Sequence, residues 1–467
     1  MKSFVLLPAS FLLATAVAAV GPDYHRPEVP SALAWKQAAP AGALPRGEWW
    51  KLYGDATLDE LEARTLAGSQ TLQAAAARVD QARAAGGIAR SGYLPSVGLN
   101  PSVSRGRTSE TTDNRFPVPE TTTYRASLDA SWELDLFGRV RRLNEGARAE
   151  ATANAADFEN VRLALTAEVA STYFSLRALD RETALVNDGI NLRRKALELV
   201  SSRHRSGAST EFDVARAETE LASTEAEGAS LANRRAALQN ALAVLIGEAA
   251  PNFQLSTLNA QLSTVPAVPA GIPSELLERR PDIAAAEASL ASANARIGVA
   301  KAAFFPAISL TGSFGFASGD IDRLTKSDSR LWSFGPSLYL PIFQGGRNRA
   351  NLARSRAAYD ESVALFRQRV LVAFREVQDA LTATQLLASQ ATAQDRAVAA
   401  ARRAGDLAQK RYDAGFVNYF EVIDAQRTVL TSERAATQLG AQQLVNSVAL
   451  IKALGGGWER PAALAAK

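Results

Sequence analysis

The chain has 467 residues, 47% of them hydrophobic and 21% charged, so a packed core is available and wholesale disorder is excluded. With 52 basic and 48 acidic residues, the net charge of +4 is too dilute and mixed for nucleic-acid binding. There is no cysteine, which excludes disulfide scaffolds, cysteine-ligated zinc, thiol catalysis and a lipid anchor on cysteine; two histidines, His25 and His204, leave little for histidine chemistry.

In chain order, Lys2 precedes an apolar run from Phe4 to Val20 that ends in the small residues Ala14, Ala16, Ala18 and Ala19, the pattern of a cleavable secretory signal assigned to residues 1–18. No later window supplies the roughly 18 consecutive apolar residues of a spanning helix, so a membrane role requires a β-barrel.

The remainder reads as an internal duplication. Arg203, Gly207, Phe212, Val214, Glu225, Leu231 and Gly247 recur, 208 positions later and without gaps, as Arg411, Gly415, Phe420, Val422, Glu433, Leu439 and Gly455. The first unit is assigned to 70–246, with a helix, a β-hairpin at 97–136, a long helix at 138–205 and a return helix at 211–246. The second is assigned to 281–454, with a helix, a hairpin at 307–342, a long helix at 346–414 and a return helix at 418–454. A unit near 200 residues is too long for a solenoid repeat.

The hairpins alternate with period two. Tyr124, Ala126, Leu128, Ala130, Trp132 and Leu134 alternate with Arg125, Ser127, Asp129, Ser131, Glu133 and Asp135; Ile308, Leu310, Phe314 and Phe316 alternate with Ser309, Thr311 and Ser313; and Trp332, Phe334 and Leu338 alternate with Ser333, Gly335 and Ser337. Each strand therefore has one apolar and one polar face. Half-buried hairpins packed on helices are the plainer reading. Strand lengths of about ten residues, aromatics near the strand ends and the secretory signal favour a membrane barrel. Four strands cannot close one, because the smallest have about eight, so several chains must share it.

The stretches from Gly138 to Arg205 and from Gly346 to Ala414 lack proline. As helices they would each be about 100 Å long, several times a bilayer's hydrocarbon thickness. A heptad spacing runs through Val363, Val370 and Val377, and through Phe374, Leu381 and Ala388, as in coiled coils. Each long helix stops at a glycine, Gly207 or Gly415, which fits a left-handed C-cap and makes a helix-turn-helix tip.

The motifs Gly21-Pro-Asp-Tyr-His-Arg-Pro, Trp49-Trp-Lys-Leu-Tyr-Gly-Asp-Ala-Thr-Leu, Trp132-Glu-Leu-Asp-Leu-Phe-Gly-Arg, Arg279-Arg-Pro-Asp-Ile and Leu454-Gly-Gly-Gly-Trp occur in this order. In them the chain resembles the TolC-like outer membrane factors, and within these the outer membrane efflux lipoproteins of resistance-nodulation-division multidrug pumps. The resemblance implies a mixed α and β membrane protein. It would be a homotrimer whose twelve-stranded outer-membrane β-barrel, four strands per chain, continues into a long periplasmic α-helical coiled-coil barrel with an equatorial belt. The belt would draw on the N-terminal segment 19–69, the linker 247–280 and the C-terminal segment 455–467. The implied partners are a periplasmic adaptor (membrane fusion) protein, docking at the tips around Gly207, Gly415, Arg203 and Arg411, an inner-membrane transporter, and outer-membrane lipids. Relatives carry an acylated cysteine where this chain has Ala18, which leaves two readings: processing without lipid, or an alanine standing in place of a natural cysteine.

The resemblance also implies a periplasmic gate on the stretch Asn418-Tyr-Phe-Glu-Val-Ile-Asp-Ala-Gln-Arg. It places Phe420 as an apolar plug, Asp424 as an acidic ring and Arg427 as a charge tying helices together. Spacings of i, i+4 and i, i+3 put all three on one helical face. The duplicate of position 424 is Arg216, an opposite charge able to bridge the two hairpins; a solvated helix face with a local ion pair is the plainer reading. His204 reads as a surface residue, Glu133 and Asp135 as polar lumen, and Gly455 to Gly457 as a helix stop. No cofactor, metal site or catalytic constellation is expected.

The function expected is a passive exit duct for small molecules in a tripartite multidrug efflux pump of a Gram-negative outer membrane, and not an enzyme. The alternatives are the outer component of type I protein secretion or metal-cation efflux, and a non-pore structural coiled coil of the envelope.

Overall fold

A computed structural model describes residues 19–30, 32, 34–37, 47–107, 109, 120–256, 263–271 and 273–460. The expected signal at 1–18 with Ala18, most of the first hairpin loop and residues 461–467 lie outside the described residues.

The helices are α1 (Ala56–Gly68), α2 (Gln70–Ser91), α3 (Arg139–Arg205), α4 (Glu211–Ile246), α5 (Leu276–Arg279), α6 (Pro281–Ala302), α7 (Arg347–Asp413) and α8 (Tyr419–Ala453); the strands are β1 (Ser96–Gly106), β2 (Thr121–Leu134), β3 (Ala307–Ser318) and β4 (Arg330–Tyr339). Long α3 and α7 have 67 residues each, which at 1.5 Å per residue is about 100 Å. Among the described residues no helix is long and apolar enough to cross a membrane.

The chain divides into two compact units. One comprises the described residues of Met1–Glu28, Arg78–Asn154 and Ala285–Phe366. It holds a four-stranded antiparallel meander in the order β1-β2-β3-β4. Asp129 sits opposite both Gly98 and Ser313, and Ser313 opposite Ser333, which sets the register across the sheet. The N-terminal strap is tied down here by Val20 N–H donating to the Phe137 carbonyl (3.1 Å), by Arg142 donating to Asp23 Oδ1 (2.8 Å) and by Asn294 donating to the Pro22 carbonyl (3.0 Å). Asp135 departs from its expected place on the polar strand face. It lies beyond β2 and accepts the backbone N–H groups of Val140 (3.0 Å) and Arg141 (2.8 Å), because the opening turn of α3 offers unpaired donors that a carboxylate satisfies.

The other unit comprises the described residues of Val29–Ala77, Ala155–Ala284 and Arg367–Lys467. Its core is built on Trp49, Trp50 and Tyr53, packed with Tyr173 and Phe174 of α3. Three polar tips in this core are partnered: Tyr53 Oη with Ser447 Oγ (2.7 Å), Tyr173 Oη with Asp55 Oδ2 (2.8 Å), and Trp49 Nε1 with Thr166 Oγ1 (3.3 Å). Asp55 also caps α1 through the N–H groups of Thr57 and Leu58. Arg280 is buried and forks onto Asp282, with Nη1 reaching Glu376 (2.7 Å) and the Ala453 carbonyl (2.9 Å), so its charge is compensated by two carboxylates and an orphan helix-end carbonyl. Glu62 of α1 is fully buried, and burial, with the Asp59 carboxylate a lesser cause, pushes its pKa up to about 9.

Along α7 the buried residues Phe366, Val370, Ala373, Val377 and Ala380 alternate in steps of four and three. This is a coiled-coil seam. Val370 and Val377 belong to it, and its second track runs through Ala373; of the other expected track Leu381 is buried and Phe374 only partly so.

Candidate functional site

The sheet presents two chemically opposite surfaces. Val97, Leu99, Val103, Phe314, Trp332, Phe334 and Leu338 lie on one face, and each is half exposed or more, Trp332 at 75%. An apolar patch of this extent on a water-facing sheet would be an aggregation liability, whereas against hydrocarbon it is stabilising. On the other face stand Ser96, Asn100, Ser127, Asp129, Ser131, Thr311, Ser313 and Ser333, interleaved with Gly98, Gly315 and Gly335. Glu133, at the end of this face, is neutralised by Arg139 (Nε to Oε1, 2.8 Å). Trp132 Nε1 donates to the Tyr93 carbonyl (3.1 Å), holding an indole at the strand end.

Among the described residues β1 and β4 are each hydrogen-bonded on one side only. Open edges beside an apolar face demand another strand when lipid replaces water, because the unpaired amides have no alternative partner.

At the opposite end of each long helix the sequence builds the same tip twice. Gly207 (φ 78°) and Gly415 (φ 79°) take the left-handed conformation. The N–H groups of Ala208 and Phe416 reach back to the carbonyls of Arg203 (2.8 Å) and Arg411 (2.9 Å), a Schellman closure in both hairpins. The return helices are then capped by a Thr210–Asp213 capping box on α4 and by Asn418 on α8. The Arg203 guanidinium lies 5.1 Å from the Tyr412 ring centroid, Arg411 pairs with Glu421 (3.5 Å), and Phe416 is 79% exposed. His204 Nδ1 lies 2.9 Å from the Ser209 carbonyl, within the first tip.

The candidate gate residues fall beside these tips with partners that differ from the simplest pairing. Arg216 lies over the ring of Phe420, 4.2 Å from its centroid. Asp424 is exposed on α8. Arg427 pairs with Glu220 of α4, which also approaches Arg193 of α3 (3.9 Å). Burial lowers the pKa of Arg193, and the Glu220 carboxylate opposes that shift. Seven residues further along both helices, Arg434 pairs with Glu227 and reaches Glu182 (3.4 Å). Glu220, Glu227 and Arg434 escaped the sequence reading; the shared seven-residue spacing of the two arginines and the two glutamates was the available signal. A further pair is duplicated: Arg194–Glu225 (3.2 Å) and Arg402–Glu433 (2.6 Å), 208 positions apart.

A lipid-suited sheet with a polar reverse, carried by a chain with two polar helices of 67 residues each, defines an outer-membrane channel protein. The model of the family described as Outer membrane efflux protein matches residues 62–248 and 272–456. The chain belongs to that family. It is 36% identical over 449 residues to the outer membrane protein OprJ of Pseudomonas aeruginosa, covering 94% of this chain and 93% of that protein. It is likewise 36% identical over 469 residues to the solvent efflux pump outer membrane protein SrpC of Pseudomonas putida, covering 97% and 98%. The solved open-state structure of the Neisseria gonorrhoeae MtrE outer membrane channel has a TM-score of 0.84 at 32% identity, covering 95% of this chain and 99% of that one. The protein is thus an outer-membrane channel component of efflux, not an enzyme.

Proposed function

We propose that three copies of the chain close a twelve-stranded barrel through β1 and β4, and that the assembly is the passive exit duct of a tripartite pump for small, largely apolar toxicants. The observation that carries this is the four-stranded sheet itself, with a lipid-suited face, a polar reverse and two unpaired edges. The N-terminal segment 19–69, the linker 247–280 and the C-terminal segment 455–467 form the belt around the helical barrel. A periplasmic adaptor docks at the tips around Gly207 and Gly415, where backbone geometry is duplicated and Phe416 stands exposed, and links the duct to a resistance-nodulation-division transporter that supplies the energy. Phe420, Asp424, Arg427 and Arg216 form the periplasmic gate, with Asp424 repeated three times as a cation-favouring ring.

Native mass spectrometry of the extracted protein is expected to give a trimer, and planar bilayers a cation-preferring conductance that Asp424→Asn makes less selective. A deletion strain is expected to become sensitive to solvents and dyes while protein secretion is unchanged. A non-conducting monomer would overturn the duct; a secretion defect without drug sensitivity would overturn the pump assignment.

A further inference from the structure

Resting on the duct reading above, we propose that Asp129 is the charge-selecting residue of the β-barrel bore, favouring cationic over anionic solutes on their way out.

Asp129 stands at mid-sheet, in a row that runs Gly98, Asp129, Ser313, Ser333 across the four strands. Its Oδ2 accepts from Asn100 Nδ2 (2.6 Å) and from Ser127 Oγ (3.2 Å). Both donors are neutral, so they hold the carboxylate in place without cancelling its charge. Glu133 on the same face is different, because Arg139 neutralises it. The nearest cation on the face along β2 is Arg125, four residues or about 13 Å away along the backbone; its charge acts on the carboxylate, but it is not among the groups bonded to Oδ2.

The surroundings make that charge felt. Besides Asn100, the residues around it on the face are serine, glycine and threonine, too small to fill the bore. Three chains would present three such carboxylates at one height, on a wall backed by low-dielectric lipid that focuses the field into the water beside it. A structural role alone would be served as well by asparagine, which makes the same local hydrogen bonds without the charge.

The absence of cysteine allows a direct test. Ser333→Cys places one thiol on the polar face, two strand spacings or about 10 Å from Asp129. The purified protein carrying it is treated with cationic and anionic methanethiosulfonate reagents of similar size, and the rates are normalised to a free thiol. The cationic reagent is expected to react several-fold faster, and Asp129→Asn is expected to cut that ratio at least threefold. Arg125→Gln is expected not to lower it. Asp129→Ser, which matches the surrounding face, replaces the asparagine variant if that one fails to assemble. A ratio indifferent to Asp129, or one that follows Arg125, overturns the proposal and leaves the duct standing. A thiol that reacts with neither reagent until the protein is denatured overturns the duct and the proposal together.

Discussion

The guanidinium of Arg216, on α4, lies 4.2 Å from the ring centroid of Phe420, on α8, and so joins the return helices of the two duplicated hairpins. A cation over an aromatic face is attracted by the ring quadrupole, worth about 0.5–1 kcal/mol at an exposed site. Arg216→Gln and Phe420→Leu are each expected to raise open probability by about two- to fivefold. The double variant should do little more than either single one. Single-channel recording checks this, and additive effects would mean that the two side chains act independently.

Glu220 serves two arginines, since Arg427 pairs with it and the buried Arg193 approaches it at 3.9 Å. Removing the acid takes from buried Arg193 the larger of its two acidic counter-charges, Glu227 being the lesser, at a cost of up to about 3 kcal/mol, whereas removing exposed Arg427 costs about 1 kcal/mol or less. Glu220→Gln is therefore expected to lower the thermal midpoint of the assembled protein clearly more than Arg427→Ala. The reverse order in melting experiments would refute this division of roles.

Glu62 is fully buried, with its pKa raised to about 9 from 4.5. A carboxyl raised in the folded state favours folding fully below its unfolded value, and that contribution is lost as pH rises from about 4.5 to about 9. The loss is about 1.4 kcal/mol per pH unit. Glu62→Gln is expected to match the wild type at pH 5 and to melt higher at pH 8. Parallel stability profiles for the two proteins would exclude a buried neutral Glu62.

Gly207 and Gly415 have φ values of 78° and 79°. Alanine there is expected to cost about 1–2 kcal/mol per site, and asparagine less, because a Cβ crowds the following carbonyl in the left-handed region. Hydrogen exchange should show earlier opening of Ala208 and Phe416 amides, whose bonds close the tips. Unchanged protection of both amides would contradict the dependence on glycine.

Much of the fold was legible because its elements are long and strictly periodic. Period two in Tyr124 to Leu134 and in Ile308 to Phe316 declares strands with one apolar face, and absence of proline with heptad spacing in Val370 and Val377 declares helices. The duplication adds a second, independent reading of each element, so the tips at Gly207 and Gly415 were visible twice.

Those periodicities by themselves determined a barrel-forming sheet, coiled-coil helices and the glycine-closed turns, since each is a local pattern written along one stretch of chain. Tertiary structure decided which side chains meet across elements. Asp135 left its strand to cap α3, Arg216 came to rest on Phe420 instead of opposite Asp424, and Arg427 found Glu220, 207 positions away. The physical reason is that pairing between helices depends on their rotational phase and axial register, which packing sets and which no period along a single helix contains.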